Sequence, residues 1–458
     1  MDTMDTRKEE AQMLLSRYGQ EHLLRYYDEL DDASRRKLIS GIIQLDLQAV
    51  EQAWQRWKDS PAQALAGMEL APMQASSLDE YTEEERERYA SAGWSLLEQG
   101  KVGAIVVAGG QGSRLGYEGP KGAYDIGLPS GKSLFQLQAE RLIHLSEKAG
   151  KPIAWYIMTS PENHEQTVRF FEQHYYFGYP REHCTFFVQG AMPAIDEHGK
   201  ILMSAKDEIC LAPSGNGDCF AALKRTGAML DMKRRGLEWL FYYNVDNALV
   251  RVADPLFIGA AASHPFPVAA KSVDKLYPEE PVGIFCYRNG LPSVVEYTVI
   301  PEEVMYAKDD QGRLLYRQGH ISIQLFRLDF IEKAADLNLP YELAHKKIRH
   351  FDTSGALINP AAPNAYKMER FIFDFYPAAG DMTVWKVRRE EEFAPVKNRE
   401  GEDSPDSARL LLLELHRKWL LEAGVTTERL GDRQVEISPL VSYAGEGLTQ
   451  DLLRSLGI

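Results

Sequence analysis

Residues 101–121 read KVGAIVVAGGQGSRLGYEGPK. The run from Val102 to Ala108 is short, continuous and rich in β-branched residues, which suits a strand buried on both faces. It passes directly into Gly109, Gly110 and Gly112, and then into Ser113, Arg114, Leu115, Gly116, Pro120 and Lys121. Glycines at a strand end let the backbone approach a ligand closely, and their N–H groups can cradle phosphate oxygens. Arg114 and Lys121 add two cations that match a polyphosphate.

Three familiar motifs fail on counting. A dinucleotide fingerprint needs a third glycine where Leu115 stands, and the next apolar strand closes on Thr159 and Ser160 rather than on an acid. A Walker A loop would fit Gly131, Lys132 and Ser133, but its first glycine position falls on Ile126. A nucleophile elbow around Ser113 would need glycines where Gln111 and Leu115 lie. Read by itself, the loop is either a phosphate cradle or a tight turn with two solvated cations.

Outward from this stretch the pattern alternates. Helices are expected at Ser133–Ala149, His164–Tyr175 and Phe220–Arg234, and strands at Ile153–Met158, Phe186–Gln189 and Trp239–Val245. That alternation predicts a layered α/β fold with parallel strands joined by helical crossovers. Shorter strands follow, such as Val282–Tyr287 and Ser293–Thr298. Upstream, residues 1–95 carry a helical rhythm. Leu14, Leu15, Tyr18, Leu23, Leu24, Tyr27 and Leu30 can line one face, Asp32 or Ser34 can cap a second helix, and Thr82 with Glu85 has capping-box spacing. The charged segment 386–403 leads to a last module, 386–458, expected to hold the helix Ser407–Ala423 and short strand-like pieces. The expected domains are thus 1–95, 96–385 and 386–458.

The chain has 458 residues, with 67 acidic against 52 basic side chains and a net charge of −15. Such an excess argues against nucleic acid or an anionic membrane surface as the partner, while leaving room for a local basic pocket. Cys184, Cys210, Cys219 and Cys286 form no CxxC pair and read as reduced cysteines of a cytoplasmic protein. No secretory signal is visible at the start, and no stretch has the roughly 18 apolar residues that span a bilayer.

AGGQGSRLG (108–116) followed by PKGAYDIGLPSGKSLFQLQAERL (120–142) strongly resembles the signature of the UDP-N-acetylhexosamine pyrophosphorylases, members of the UTP-dependent sugar-1-phosphate uridylyltransferases. Further blocks resemble that family in order: QGAMPA (189–194), PSGNG (213–217), YNVDN (243–247), VADPLFI (252–258), VVEY (294–297), KMERFIFD (367–374) and EFAPVKN (392–398). The resemblance implies a Rossmann-like mixed or parallel central sheet flanked by helices, with an N-terminal helical region and a small C-terminal α+β module. It implies that UTP and a sugar 1-phosphate give a UDP-sugar and pyrophosphate, with Mg²⁺ as cofactor. Val107, Ala108, Gly109 and Gly110 would pack under the nucleotide, and Arg114 and Lys121 would neutralise the leaving phosphates. Gln189 and Gly215 would read uracil, Asp246 would hold the metal, and Lys367 would contact phosphate. Lys397 would grip the incoming sugar phosphate, and Asn216, Glu296 and Tyr297 would contact sugar hydroxyls.

Plain alternatives stand beside these roles. Asp246 could cap a turn, Lys397 could be a solvated surface cation, Glu296 a satisfied strand end and Asn216 a turn residue. Where the hexosamine enzymes carry a stretch like FNAGN, this chain reads Tyr316, Arg317, Gln318, Gly319 and His320, so the choice of sugar stays open. His320 is then either a sugar-side donor or a structural histidine. A pyrophosphorylase of the UDP-glucose or UDP-galactose type and a non-catalytic UDP-sugar-binding protein are the alternatives. A glycosyltransferase would usually show an acidic metal pair, yet Asn244 occupies the first position before Asp246.

Overall fold

The computed structural model describes residues 4–59, 68–352 and 354–455. The strand expected after Lys101 forms as β1 (Val102–Val107). It is followed by β2 (Ala154–Thr159), β3 (Cys184–Val188), β4 (Trp239–Asn244), β5 (Val268–Asp274), β6 (Gln318–Arg327) and β7 (Thr383–Lys386). In space the order is β7-β5-β6-β4-β1-β2-β3, with the two-residue strand Ser76–Ser77 outside β7. β4, β1, β2 and β3 are mutually parallel, whereas β6 lies antiparallel between β4 and β5, so the sheet is mixed. Register pairs Trp239 with Val102 and Asn244 with Val107, which brings the carboxyl ends of β1 and β4 level. Ligands of open α/β sheets gather at such ends.

Helices cover this sheet because its strands are apolar on both faces. Phe135, Leu142 and Leu145 of the helix Leu134–Ala149 share one core with Trp155, Ile157, Phe241 and Phe257. The helix Glu83–Glu98 carries the expected capping box, with Glu85 N–H donating to Thr82 Oγ1 at 3.2 Å. It crosses the helix Pro255–Ala262 at two glycines: a Cβ on Gly93 would lie 1.8 Å from the Pro255 carbonyl oxygen. A hairpin branches from the sheet, with Ile284–Arg288 and Leu291–Val295 joined by Asn289 and Gly290, both at positive φ as a tight two-residue turn requires.

Packing divides the chain into two compact units. The smaller comprises residues 1–67, 189–219 and 337–374, and the larger comprises residues 68–188, 220–336 and 375–458. Leu15, Leu38, Ile42 and Val50 form the core of the smaller unit with Ile195, Ile209 and Met368. This grouping cuts across the linear boundaries expected at 95/96 and 385/386. The helix Glu83–Glu98 belongs to the larger unit, since its glycine seam faces another helix of that unit.

Several local expectations need correction. The first helix ends at Arg17 because Gly19 adopts φ +64°, so Leu23, Leu24 and Tyr27 sit on 3₁₀ turns rather than on one continuous face. Asp31, not Asp32 or Ser34, caps the next helix by accepting from Ser34 N–H at 2.8 Å. Gly227, at φ +81°, splits the single helix expected over Phe220–Arg234 into Cys219–Arg225 and Ala228–Arg234. Beyond Pro405–Glu422 the C-terminal segment holds the short helices Thr427–Leu430 and Gln450–Ser455, and no strand follows Lys386 among the described residues.

Candidate active site

In the larger unit, β1 delivers Val107 and Ala108 to the sheet edge, and Ala108 N–H still bonds to the Met158 carbonyl at 2.8 Å. The chain then folds back on itself. Lys121 N–H donates to Gly110 O at 3.1 Å, and Gly112 N–H to Gly119 O at 2.9 Å. Glycine is needed inside this turn, because a Cβ on Gly112 would meet Tyr117 Cδ1 at 2.6 Å. Above Gly110 the space is open, with no atom within 4 Å of a Cβ built there. A residue missed in the sequence holds the loop: the Asn163 amide, fully buried, donates to Ala108 O at 2.8 Å and to Gly110 O at 3.3 Å. Its carbonyl oxygen accepts from Ser160 N–H at 2.9 Å, so one side chain stitches the ends of β1 and β2 together. A single Asn inside SPENH carries no sequence signal of that task.

Folding back returns Lys121 to the level end of β4. Its Nζ lies 3.3 Å from Asp246 Oδ2, with the two side chains 15% and 19% exposed. A cation and a carboxylate separated by 125 residues are thus set side by side at the strand ends. Arg114 is exposed on the 3₁₀ turn Ser113–Leu115 and makes no ion pair among the described residues. Val396 N–H donates to Asp246 O at 2.9 Å, which docks the segment carrying Lys397 against the same strand end. Lys397 Nζ pairs with Asp403 Oδ2 at 3.1 Å; Asp403 is held at φ +54° while its carbonyl accepts from Lys397 N–H. Nothing in the charged run 399–403 marked Asp403 as that partner.

Glu296 and Tyr297 follow the hairpin strand Leu291–Val295, and Tyr297 is 44% exposed. His320 lies on β6, where its Nε2 accepts from the Gln324 amide at 2.7 Å and lies 3.2 Å from the Tyr376 hydroxyl. The Phe285 ring packs edge-on against it at 5.2 Å. Enclosure by protein disfavours the imidazolium and lowers the His320 pKa to about 3, so the ring is neutral at pH 7. Its mate in that block, Arg317, reaches Asp309 and Asp274 instead.

The smaller unit carries the remaining candidates: Gln189, Gly215, Asn216 and Lys367. Gln189 is buried at the start of a loop in which Gly190 N–H donates to the Asp218 carboxylate and Ser214 Oγ to Gly190 O at 2.8 Å. Gly215 is required there, since it adopts φ +87° and a Cβ would lie 2.4 Å from Arg370 O. Asn216 Oδ1 accepts from Ile372 N–H at 2.9 Å, so the amide is anchored through its oxygen. Lys367 lies on the strand Ala365–Glu369 and has no carboxylate partner among the described residues.

As for metal, no group of three or more His, Cys, Asp or Glu side chains gathers among the described residues. Asp246 offers a carboxylate at the strand ends. That fits Mg²⁺, which commonly takes one or two carboxylates and completes its shell with water and substrate phosphates.

The family model described as UTP--glucose-1-phosphate uridylyltransferase matches residues 49–448. The chain is similar to UDP-N-acetylglucosamine diphosphorylase 2 of Arabidopsis thaliana, 41% identical over 457 residues, covering 95% of this chain and 89% of the relative. It is also similar to UDP-N-acetylhexosamine pyrophosphorylase-like protein 1 of Mus musculus, 38% identical over 469 residues, covering 95% and 92%. Among solved structures, the uridine diphosphate N-acetylglucosamine pyrophosphorylase of Trypanosoma brucei superposes with a TM-score of 0.83 at 31% identity, covering 98% of this chain and 95% of that one. With the family model spanning residues 49–448 and a relative 41% identical over 95% of the chain, the chain belongs to the UTP--glucose-1-phosphate uridylyltransferase family.

Proposed function

We infer that this enzyme transfers a uridylyl group from UTP to N-acetylglucosamine 1-phosphate, giving UDP-N-acetylglucosamine and pyrophosphate. One observation carries the reading: the glycine loop returns Lys121 to within 3.3 Å of Asp246 at the shared ends of β1 and β4. The relatives' names support the sugar. In the reaction an oxygen of the sugar phosphate attacks the α-phosphorus in line, and the bond to the β-phosphate oxygen breaks as pyrophosphate leaves. No covalent enzyme intermediate is needed, so the protein's work is to align two anions and screen their charge.

The residues divide that work. Glycine backbone at 109 and 110 leaves room for phosphates, and Arg114 and Lys121 stabilise the leaving pyrophosphate. Lys121 exchanges Asp246 for phosphate oxygens, and Asp246 is the carboxylate that would hold Mg²⁺, which would supply charge neutralisation at the phosphates. Lys397 exchanges Asp403 for the incoming sugar phosphate. In the smaller unit, Gln189 and the Gly215 backbone read the uracil edge, Asn216 offers its Nδ2 to the sugar and Lys367 contacts phosphate. Glu296 and Tyr297 contact sugar hydroxyls. A cytoplasmic setting belongs to the same reading and is supported by the spacing of the four cysteines, which form no CxxC pair. No helix of the described structure is long and apolar enough to cross a membrane.

The test is pyrophosphate release from UTP against a panel of sugar 1-phosphates, with ATP, CTP, GTP and dTTP as controls. Release with N-acetylglucosamine 1-phosphate and UTP is expected. Preference for glucose 1-phosphate would move the protein to the UDP-glucose type, and no release with any pair would leave it a binding protein.

A further inference from the structure

Between Asp246 and the helix that follows, the side chain of Asn247 is spent entirely inside the protein. It is 3% exposed. Its Nδ2 donates to Glu392 O at 2.7 Å, and its Oδ1 accepts from Ala394 N–H at 2.9 Å and from Leu249 N–H at 3.2 Å. The backbones on either side agree with it: Ala248 N–H donates to Ala394 O at 3.0 Å, and Val396 N–H to Asp246 O at 2.9 Å. One amide therefore reads a donor and an acceptor on a segment that begins at Glu392 and ends at Lys397. Aspartate could not donate to Glu392 O, and alanine would remove the side-chain partner of one buried carbonyl and of two buried N–H groups.

The far end of that segment is anchored by charge. Lys271, fully buried on β5, places Nζ 2.6 Å from Glu392 Oε2 and 2.6 Å from Asp254 Oδ2. Burial would push the Asp254 carboxyl up, but the Lys271 ammonium, Arg251 and the Leu256 N–H together hold the group below the usual carboxylate range. Glu392 is thus pinned to the sheet, Asn247 pins the middle, and Lys397 is the first residue beyond the pinned stretch. Asp246 itself accepts one bond of this set, and Lys397 is one residue from it.

We propose that Asn247 is a positioning residue of uridylyl transfer, holding the Lys397 segment at fixed register against Asp246. The inference rests on the function proposed above, since it needs Lys397 to meet the incoming sugar phosphate. In-line displacement is sensitive to such placement: a shift of about 1 Å in a reacting group can cost on the order of 100-fold in rate.

A double-mutant cycle tests it on the full chain, with Asn247→Asp, Asn247→Ala, Lys397→Ala and each combination. Turnover is measured well below the thermal transition of every protein, and UTP affinity is measured separately without sugar. The expected result is a fall in kcat of about 10- to 100-fold for each Asn247 variant, with UTP affinity kept within about threefold. In the Lys397→Ala background the same Asn247 change should then cost almost nothing, because the placed group is already gone. Losses that multiply in the double variants would overturn the proposal, as would an Asn247→Asp protein with wild-type kcat. Should Asn247→Ala fail to fold, the near-isosteric Asn247→Asp carries the cycle alone. A wild-type protein that releases no pyrophosphate with any sugar 1-phosphate would sink the function itself, a different outcome from an active enzyme indifferent to residue 247.

Discussion

Lys121 is the residue on which sequence and structure bear most directly. Its backbone closes the glycine turn through the Gly110 carbonyl, while its ammonium ends beside Asp246. Replacing it with alanine removes a preorganised cation aimed at leaving phosphates. Lys121→Ala should lower kcat by about 10²- to 10³-fold while leaving the far-UV spectrum and the melting temperature close to wild type. A near-normal rate would take Lys121 out of the chemistry. At the same scale, His416 is 5% exposed, and its Nδ1 accepts from Ile437 N–H at 3.1 Å. Burial, with help from Arg141 and Lys132, lowers its pKa to about 3, against 6.5 in the unfolded chain. The folded pKa is the depressed one, so this contribution to stability is complete above pH 6.5 and is lost as pH falls towards 3. The melting temperature should therefore drop between pH 6.5 and pH 4. His416→Asn should melt lower at pH 7 but show a shallower fall with acid.

At the scale of elements, the two features that fasten the larger unit are a glycine seam and a buried charge cluster. The helices Glu83–Glu98 and Pro255–Ala262 approach so closely at Gly93 and Gly259 that no side chain fits between them. The second helix is capped by Asp254, which accepts from Leu256 N–H at 3.1 Å and is paired with Lys271. One carboxylate thereby joins a helix start to β5, and through Lys271 to the segment beginning at Glu392. Lys271→Met leaves Asp254 and Glu392 buried without their cation, and breaking such a pair costs about 3–5 kcal/mol. The expected reading is a marked shift of the denaturation midpoint to lower urea; an unchanged midpoint would show that the two acids find other partners.

Over the whole molecule, a ligand that binds only the folded state stabilises it by mass action. UTP with Mg²⁺ at about 100 times its dissociation constant should add about 2.7 kcal/mol, seen as a rise in melting temperature that ATP at the same concentration does not produce. Equal shifts for the two nucleotides would count against a uracil-reading loop at Gln189 and Gly215. The division into two units also shows how far sequence order carries. Strands, most helices and the glycine loop were legible because each is written in a local period, a cap or a glycine run, as in Val102–Val107 and Thr82–Glu85. Residues 189–219 and 337–374 gave no sign that they would pack with the N-terminal helices, because that grouping depends on contacts between segments far apart in the chain.

The amino-acid sequence by itself determined the α/β class, the glycine turn at 109–121 and the family, since these reside in short ordered motifs that are read locally. Tertiary structure alone decided that Lys121 meets Asp246, that Asp403 answers Lys397, that Asn163 and Asn247 serve as stitches, and that His320 is enclosed. Those outcomes come from strand register and from burial, which set a side chain's partner and its charge only after distant segments have packed.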